Sequence, residues 1–131
     1  MPKPIEWTDA LSVGISELDE GHKRLIDLVN ALFADEHRTN LEQAVSRLMA
    51  HTLAHFAHEE AYLHSRSASA CNRHQEEHVR LFTELDFICQ RLLKDGGKEL
   101  DSAMASFLRH WMVAHIMSHD KKDAIFMQKA S

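Results

Sequence analysis

The sequence predicts an all-α fold, an up-and-down antiparallel four-helix bundle with an irregular N-terminal arm. Apolar residues recur at i, i+4, i+7 and i+8 in four separate stretches, the pattern of helices with one buried face. Only four glycines and two prolines occur in 131 residues, so few positions interrupt a helix. Short connections between the stretches set consecutive helices side by side and antiparallel. A composition of 44% hydrophobic and 27% charged residues suits one globular domain over residues 1–131.

Residues 1–18 carry Ile5, Trp7, Leu11, Val13 and Ile15 without a helical period, and are expected to lie across the bundle as the arm. The first helix is expected over 19–37, where Leu18, His22, Leu25, Ile26, Val29, Leu32 and Phe33 form one stripe. The second is expected over 41–65, after the capping candidates Thr39 and Asn40. Its stripe is Leu41, Val45, Leu48, Thr52, His55, Phe56, Glu59, Tyr62 and Leu63. The small polar segment from Ser65 to Ala70 reads as a loop. A third helix over 71–94 follows, with His74, His78, Leu81, Phe82, Leu85, Ile88 and Leu92 on one face and Asp95-Gly96-Gly97 to end it. The fourth is expected over 98–118, with Leu100, Met104, Phe107, Leu108, Trp111 and His115 inward.

A net charge of -5 offers no basic face for phosphates, so nucleic acid is not an expected partner. No apolar run of about 18 residues and no apolar leader segment occur, so no membrane association is expected and the protein is expected in the cytoplasm. Cys71 and Cys89 fall on one predicted helix, about 27 Å apart along its axis. They are expected to be free thiols, which suits a reducing compartment.

The chain holds 11 histidines, and where some of them fall is informative. His22 lies near the start of the first helix, His55 and Glu59 late in the second, His74 and His78 early in the third, and His115 late in the fourth. On antiparallel helices all of these meet at one level. Burying so many polar groups together is costly unless something satisfies them, and a metal centre would. Side chains four apart on a helix point within about 40° of each other and can share a target. The donors are too many for one ion, and imidazole with carboxylate suits iron among the first-row metals. Spacing leaves the last donor open: His119, at i+4 from His115, shares its face, whereas Asp120, at i+5, is turned about 140° away on an α-helix. Filled by five imidazoles, two bridging carboxylates and a bridging oxygen, a pair of octahedral ions retains one open position. His37, His51, His58, His64 and His110 have no comparable partners and are expected on solvated or partly packed faces.

These segments resemble the hemerythrin family, in its bacterial single-domain form (bacteriohemerythrin). Leu18-Asp19-Glu20-Gly21-His22 resembles the family's first-ligand segment, and His55-Phe56-Ala57-His58-Glu59-Glu60 its HFxxEE motif. His74-Gln75-Glu76-Glu77-His78 resembles HxxxH, and Trp111 with His115-Ile116 and Asp120 resembles W…HIxxxD. The match runs through essentially the whole chain, and myohemerythrins are themselves standard up-and-down bundles. The resemblance implies that His74, His78 and His115 bind one iron, His22 and His55 the other, and that Glu59 and Asp120 bridge them beside an oxo or hydroxo bridge. It also implies reversible O2 binding at the two-histidine iron, for oxygen storage, delivery or sensing, in a pocket lined by Trp111, Met112 and Ile116. Met112 stands where the family often has leucine. No catalytic residue is implied; the expected partners are O2 and an O2-consuming enzyme or a reductase. The competing classes are a di-iron enzyme acting on NO or peroxide, and a metal-storage or zinc-bearing bundle. Di-iron oxidases in bundles use Glu-x-x-His pairs; none occurs in this chain, and no cleft for an organic substrate is expected.

Overall fold

A computed structural model describes residues 5–33, 40–95 and 102–128. The expected end of the first helix at 34–37 with His37, the cap Thr39, the turn at Gly96-Gly97, and the start of the fourth helix with Leu100 lie outside the described residues. A 3-10 turn at Asp9–Leu11 precedes α1 (Ser16–Leu32), α2 (Leu41–His64), α3 (Ala68–Asp95) and α4 (Ser102–His115); a π turn (Ile116–Asp120) then leads into α5 (Lys121–Gln128). The architecture is a four-helix bundle in which α2 packs against α1 and α3, and α5 reaches α2. No strand occurs among the described residues, and none of their helices is long and apolar enough to cross a membrane.

Local chemistry accounts for the elements that start earlier or run on longer than periodicity indicates. Gly14, at φ 78°, turns the arm into α1 through a conformation that costs other residues a steric penalty. The Asp19 carboxylate then accepts the Val13 N–H at 2.9 Å and the Ser12 hydroxyl at 2.6 Å, which folds the arm onto the first turn and starts the helix at Ser16. The third helix begins at Ala68, inside the expected loop, because the Ser67 hydroxyl accepts the Ala70 N–H at 3.2 Å as an N-cap. The fourth helix does not stop at 118: its α segment ends at His115, and the chain remains helical through the π turn to Gln128. Phe107, expected on the inner face, is 49% exposed. Leu108, Trp111, Met112 and His115 are buried on that face instead, which leaves Phe107 at its edge.

The core is layered along the bundle axis. A large apolar cluster contains Leu25, Ile26 and Val29 of α1, Leu48 and Phe56 of α2, Leu81 and Leu85 of α3, and Leu108, Trp111 and Met112 of α4. A small one at the other end contains Val13, Leu18, Leu63, Ala70, Cys71 and Ala124. Between them each helix contributes polar side chains: His22 follows Leu18 by one turn, His55 and Glu59 precede Leu63, and His74 and His78 stand between Cys71 and Leu81. Helix order therefore alternates, as an antiparallel bundle requires, and the polar level is sealed on both sides. Cys71 and Cys89 are buried free thiols.

The arm is held to the bundle by side chains acting on its backbone. Asn30 Oδ1 accepts the Ile5 N–H at 2.8 Å while its Nδ2 donates to the Ile5 carbonyl at 2.9 Å, and Lys121 Nζ donates to the Ala10 carbonyl at 2.8 Å. Asn30→Ala strips the partners from both the N–H and the carbonyl of Ile5, which are part-buried. Unfolding in urea should show a loss of about 1–3 kcal/mol with an unchanged m-value.

Candidate metal centre

The structure brings together His22, His55, Glu59, His74, His78, His115 and Asp120. All seven are buried, and Glu59 and Asp120 are 0% exposed. Their donor atoms form two overlapping groups, one of Glu59, His74, His78, His115 and Asp120 and one of His22, His55 and Glu59. Both carboxylates span the groups. Asp120 Oδ1 lies 2.9 Å from His74 Nε2 and 3.0 Å from His115 Nε2, while its Oδ2 lies 2.9 Å from His22 Nε2. Glu59 Oε1 lies 3.2 Å from His78 Nε2 and 3.6 Å from His55 Nε2, and its Oε2 lies 3.3 Å from His22 Nε2.

Close as they are, these atoms do not hydrogen-bond to one another. Every buried side-chain nitrogen or oxygen left without a hydrogen-bond partner among the described residues belongs to these seven side chains. Apart from Nδ1 of His22 and of His115, on the far side of each ring, these atoms converge on common points instead. Donor atoms held cis at ~2.1 Å from one first-row ion lie about 3.0 Å apart, close to the shortest separations found here. The cluster is suited to metal binding.

Asp120 enters the cluster through the π turn. An α-helix would have aimed His119 inward from beneath His115. One turn of i→i+5 bonding instead brings residue i+5 to about the place that i+4 takes in an α-helix, and that residue is Asp120. His119 is displaced outward, its side chain 43% exposed and its Nε2 3.6 Å from Glu77 Oε1. The spacing preference for His119 therefore fails because it assumes an unbroken α-helix.

The comparisons with known proteins agree with this geometry. The model of the hemerythrin HHE cation binding domain matches residues 13–124. This chain belongs to the hemerythrin family. It is 33% identical over 122 residues to a hemerythrin-like protein of Naegleria gruberi, covering 93% of this chain and 92% of that one. A bacteriohemerythrin of Stenotrophomonas maltophilia is 25% identical over 118 residues, covering 88% and 76%. A crystal structure of wild-type hemerythrin superposes with a TM-score of 0.81 at 24% identity, over 97% of this chain and 100% of the other.

In this hemerythrin domain two further carboxylates, Glu60 of the HFxxEE segment and Asp123, orient the imidazoles. His74 Nδ1 donates to Asp123 Oδ2 at 2.8 Å, and His78 Nδ1 donates to Glu60 Oε2 at 2.9 Å. Each bond places the proton on Nδ1 and leaves the Nε2 lone pair facing the cluster, the arrangement that raises ligand basicity and fixes ring orientation. Phe56 stacks on His78 with ring centroids 3.8 Å apart. Glu60 lies about 100° off the inward stripe beside Glu59, and Asp123 lies past the expected helix end, so periodicity hid both.

The electrostatics of the cluster call for positive charge. Burial opposes protonation of His22, yet the close approach of the Asp120 and Glu59 carboxylates holds its pKa up to about 10. His74 likewise rises against burial to about 11 beside the same two carboxylates. His55, where burial dominates, falls to about 4. Glu59 and Asp120 stay below the usual carboxylate range: burial and, for Glu59, the nearby Asp120 oppose ionisation, and the surrounding imidazoles overcome both. Two buried carboxylates side by side thus call for positive charge close by, which a metal cation would supply.

Two cavities flank the cluster. One is a small space of about 10 Å³, measured to the centre of a water-sized sphere, lined by the buried side chains Leu25, Phe56, Trp111, Met112 and Ile116 together with cluster residues. That is room for about one small molecule. The pocket residues expected from the resemblance, Trp111, Met112 and Ile116, all face it. The other is an open cleft of about 300 Å³ between α3 and α4, with Glu77, Arg80, Glu84 and His110 on its walls. No such cleft was expected from the sequence, which does not reveal how far apart two helix faces splay. Leu81, Trp111 and His115 line both spaces and stand between them.

Removing a supporting carboxylate should weaken metal binding without unfolding the bundle. Asp123→Ala and Glu60→Ala are each expected to lower affinity for a divalent ion by about 10–100-fold in chelator competition. Asp120→Ala should lose at least as much, and His119→Ala should leave affinity unchanged, which tests the π-turn assignment directly.

Proposed function

We propose that this hemerythrin-family protein binds O2 reversibly at a non-haem di-iron centre and serves in oxygen storage, delivery or sensing. The observation that carries the proposal is the two-part, carboxylate-spanned donor set beside one small cavity whose other walls are apolar. His74, His78 and His115 would hold one iron and His22 and His55 the other, with Glu59 and Asp120 bridging and an oxo or hydroxo bridge completing the pair. A ferrous pair held there would supply the affinity for O2 and the reversible two-electron chemistry that its uptake needs.

The protein's own residues account for reversibility. Leu25, Phe56, Met112 and Ile116 exclude bulk water and any molecule much larger than a diatomic. Trp111 cannot donate its proton to a ligand, because Nε1–H is committed to the Leu81 carbonyl at 3.2 Å. The remaining ionisable groups lining the cavity are themselves cluster residues. No spare acid stands ready to protonate bound oxygen and drive its further reduction, which favours carriage over an enzyme acting on NO or peroxide. The polar cleft between α3 and α4 does not alter this, since a molecule filling it meets Leu81, Trp111 and His115 rather than the carboxylates. The partners proposed are O2 and either an O2-consuming enzyme or a reductase that keeps the irons ferrous. A cytoplasmic setting fits the two reduced cysteines.

The test is spectroscopic. Protein loaded anaerobically with iron and reduced should develop an oxygen-to-iron charge-transfer band on addition of O2 and lose it when O2 is removed. A spectrum indifferent to O2 would overturn the proposal, and zinc in place of iron on anaerobic metal analysis would favour a structural bundle.

A further inference from the structure

Gly21 sits inside α1, one residue before His22, in a position that makes no use of glycine's special backbone freedom: the positive-φ glycine among the described residues is Gly14. Glycine is a poor helix former, so its place there calls for another cause. A β-carbon at position 21 would fall 2.2 Å from His55 Nδ1 and 2.5 Å from His55 Cε1. Real β-carbons do not approach other atoms so closely, and the obstructing atoms belong to a ring that has little room to yield. His55 is 4% exposed. His22 meets its ring nearly edge-on at a centroid distance of 4.5 Å, and His51 stacks against it at 5.9 Å with planes 18° apart.

His51 ties the same place from the other helix. Its Nε2–H donates to the Gly21 carbonyl at 2.9 Å, one turn before His55 on α2. The backbone of α1, the ring of His55 and the ring of His51 thus form a single contact between α1 and α2 at the level of the cluster.

We propose that Gly21 and His51 are positioning residues that seat His55, and that they thereby set the His22, His55 and Glu59 part of the centre independently of the part formed by His74, His78 and His115. The proposal rests on the metal-binding reading of the cluster. A side chain at position 21 pushes the His55 ring off the point it shares with His22 and Glu59. The three atoms nearest the added carbon all belong to His55, so the other imidazoles keep their places.

The experiment pairs anaerobic cobalt(II) titration of the metal-free chain with thermal unfolding of the metal-free variants Gly21→Ala, His55→Ala and the double variant. Wild type is expected to bind two cobalt ions. Gly21→Ala should bind one as before and the second at least about tenfold more weakly, and His51→Ala should weaken the same ion while sparing the other. Unfolding supplies the readout that a general loss of fold would not mimic. Gly21→Ala should lower Tm when His55 is present and raise it in the His55→Ala background, where only the gain in helix propensity remains. If Gly21→Ala alone does not fold, recovery of the fold in the double variant supports the contact and failure to recover overturns it. Two cobalt ions bound by Gly21→Ala with wild-type affinity, or a Tm shift of the same sign in both backgrounds, would overturn the seating of His55; no change in His51→Ala removes His51 from it. Wild type that takes up no cobalt would instead overturn the metal-binding reading, and the sign of the Tm shifts would then decide the contact by itself.

Discussion

Two carboxylates with no exposure at all, Glu59 and Asp120, are the constraint around which this molecule is arranged. A buried charge without a counter-charge costs several kcal/mol, and helices alone offer it nothing, because their backbone groups bond within themselves. The four side-chain oxygens face imidazole nitrogens from four different segments, yet none makes a hydrogen bond with proper geometry. Lone pairs aimed at shared points rather than at donors are what a site built for a cation leaves behind. The antiparallel order of the helices, the π turn before α5 and the carboxylates behind His74 and His78 all serve that convergence.

Such a polar level would weaken the bundle if it stood at an end open to water or were spread along its length. It is instead confined to about one helical turn and closed on both sides, by the large cluster around Leu85 and Leu108 and by the small one around Leu18 and Leu63. Apolar burial in those two layers holds the helices in register whether or not the middle is charged. The small layer depends on the arm, since Val13 belongs to it and is tied to Asp19 through its N–H. The contacts of Asp19 and Asn30 with the arm therefore bear on the site, although neither residue touches it.

What could be read in the sequence follows from which physical rule governs each residue. Six of the seven clustered side chains obey the α-helical period, so stripe and topology place them at one level. Asp120 does not obey it, because the π turn changes the register after His115; a resemblance of motif pointed to it where spacing preferred His119. Glu60 and Asp123 act on a ring's far nitrogen rather than on the shared point, and lie off the stripe for that reason. Gly21 and His51 were hidden differently: the absence of a side chain and a bond to a backbone carbonyl leave no mark in a hydrophobic pattern. Phe107 followed the period and is still exposed, because it lies on the wall of the α3–α4 cleft. The width of the gap between α3 and α4 depends on packing distances that no single sequence records.

The two halves of the donor set are unequal, and this asymmetry gives the site a direction. Three imidazoles converge on one side and two on the other, with both carboxylates reaching both sides, so the His22 and His55 side is the poorer in donors. The small cavity lies against those same two histidines as well as His115 and Asp120, and Leu25, Phe56, Leu81, Trp111, Met112 and Ile116 make its other walls. Water held there would meet few hydrogen-bonding partners, which makes the space a poor one for water and a suitable one for a small nonpolar gas. A ligand arriving from the α3–α4 cleft must pass Leu81, Trp111 and His115, of which Trp111 is pinned by its hydrogen bond to Leu81 and His115 belongs to the cluster. The packing that keeps the polar level dry therefore also limits the size of what could reach it.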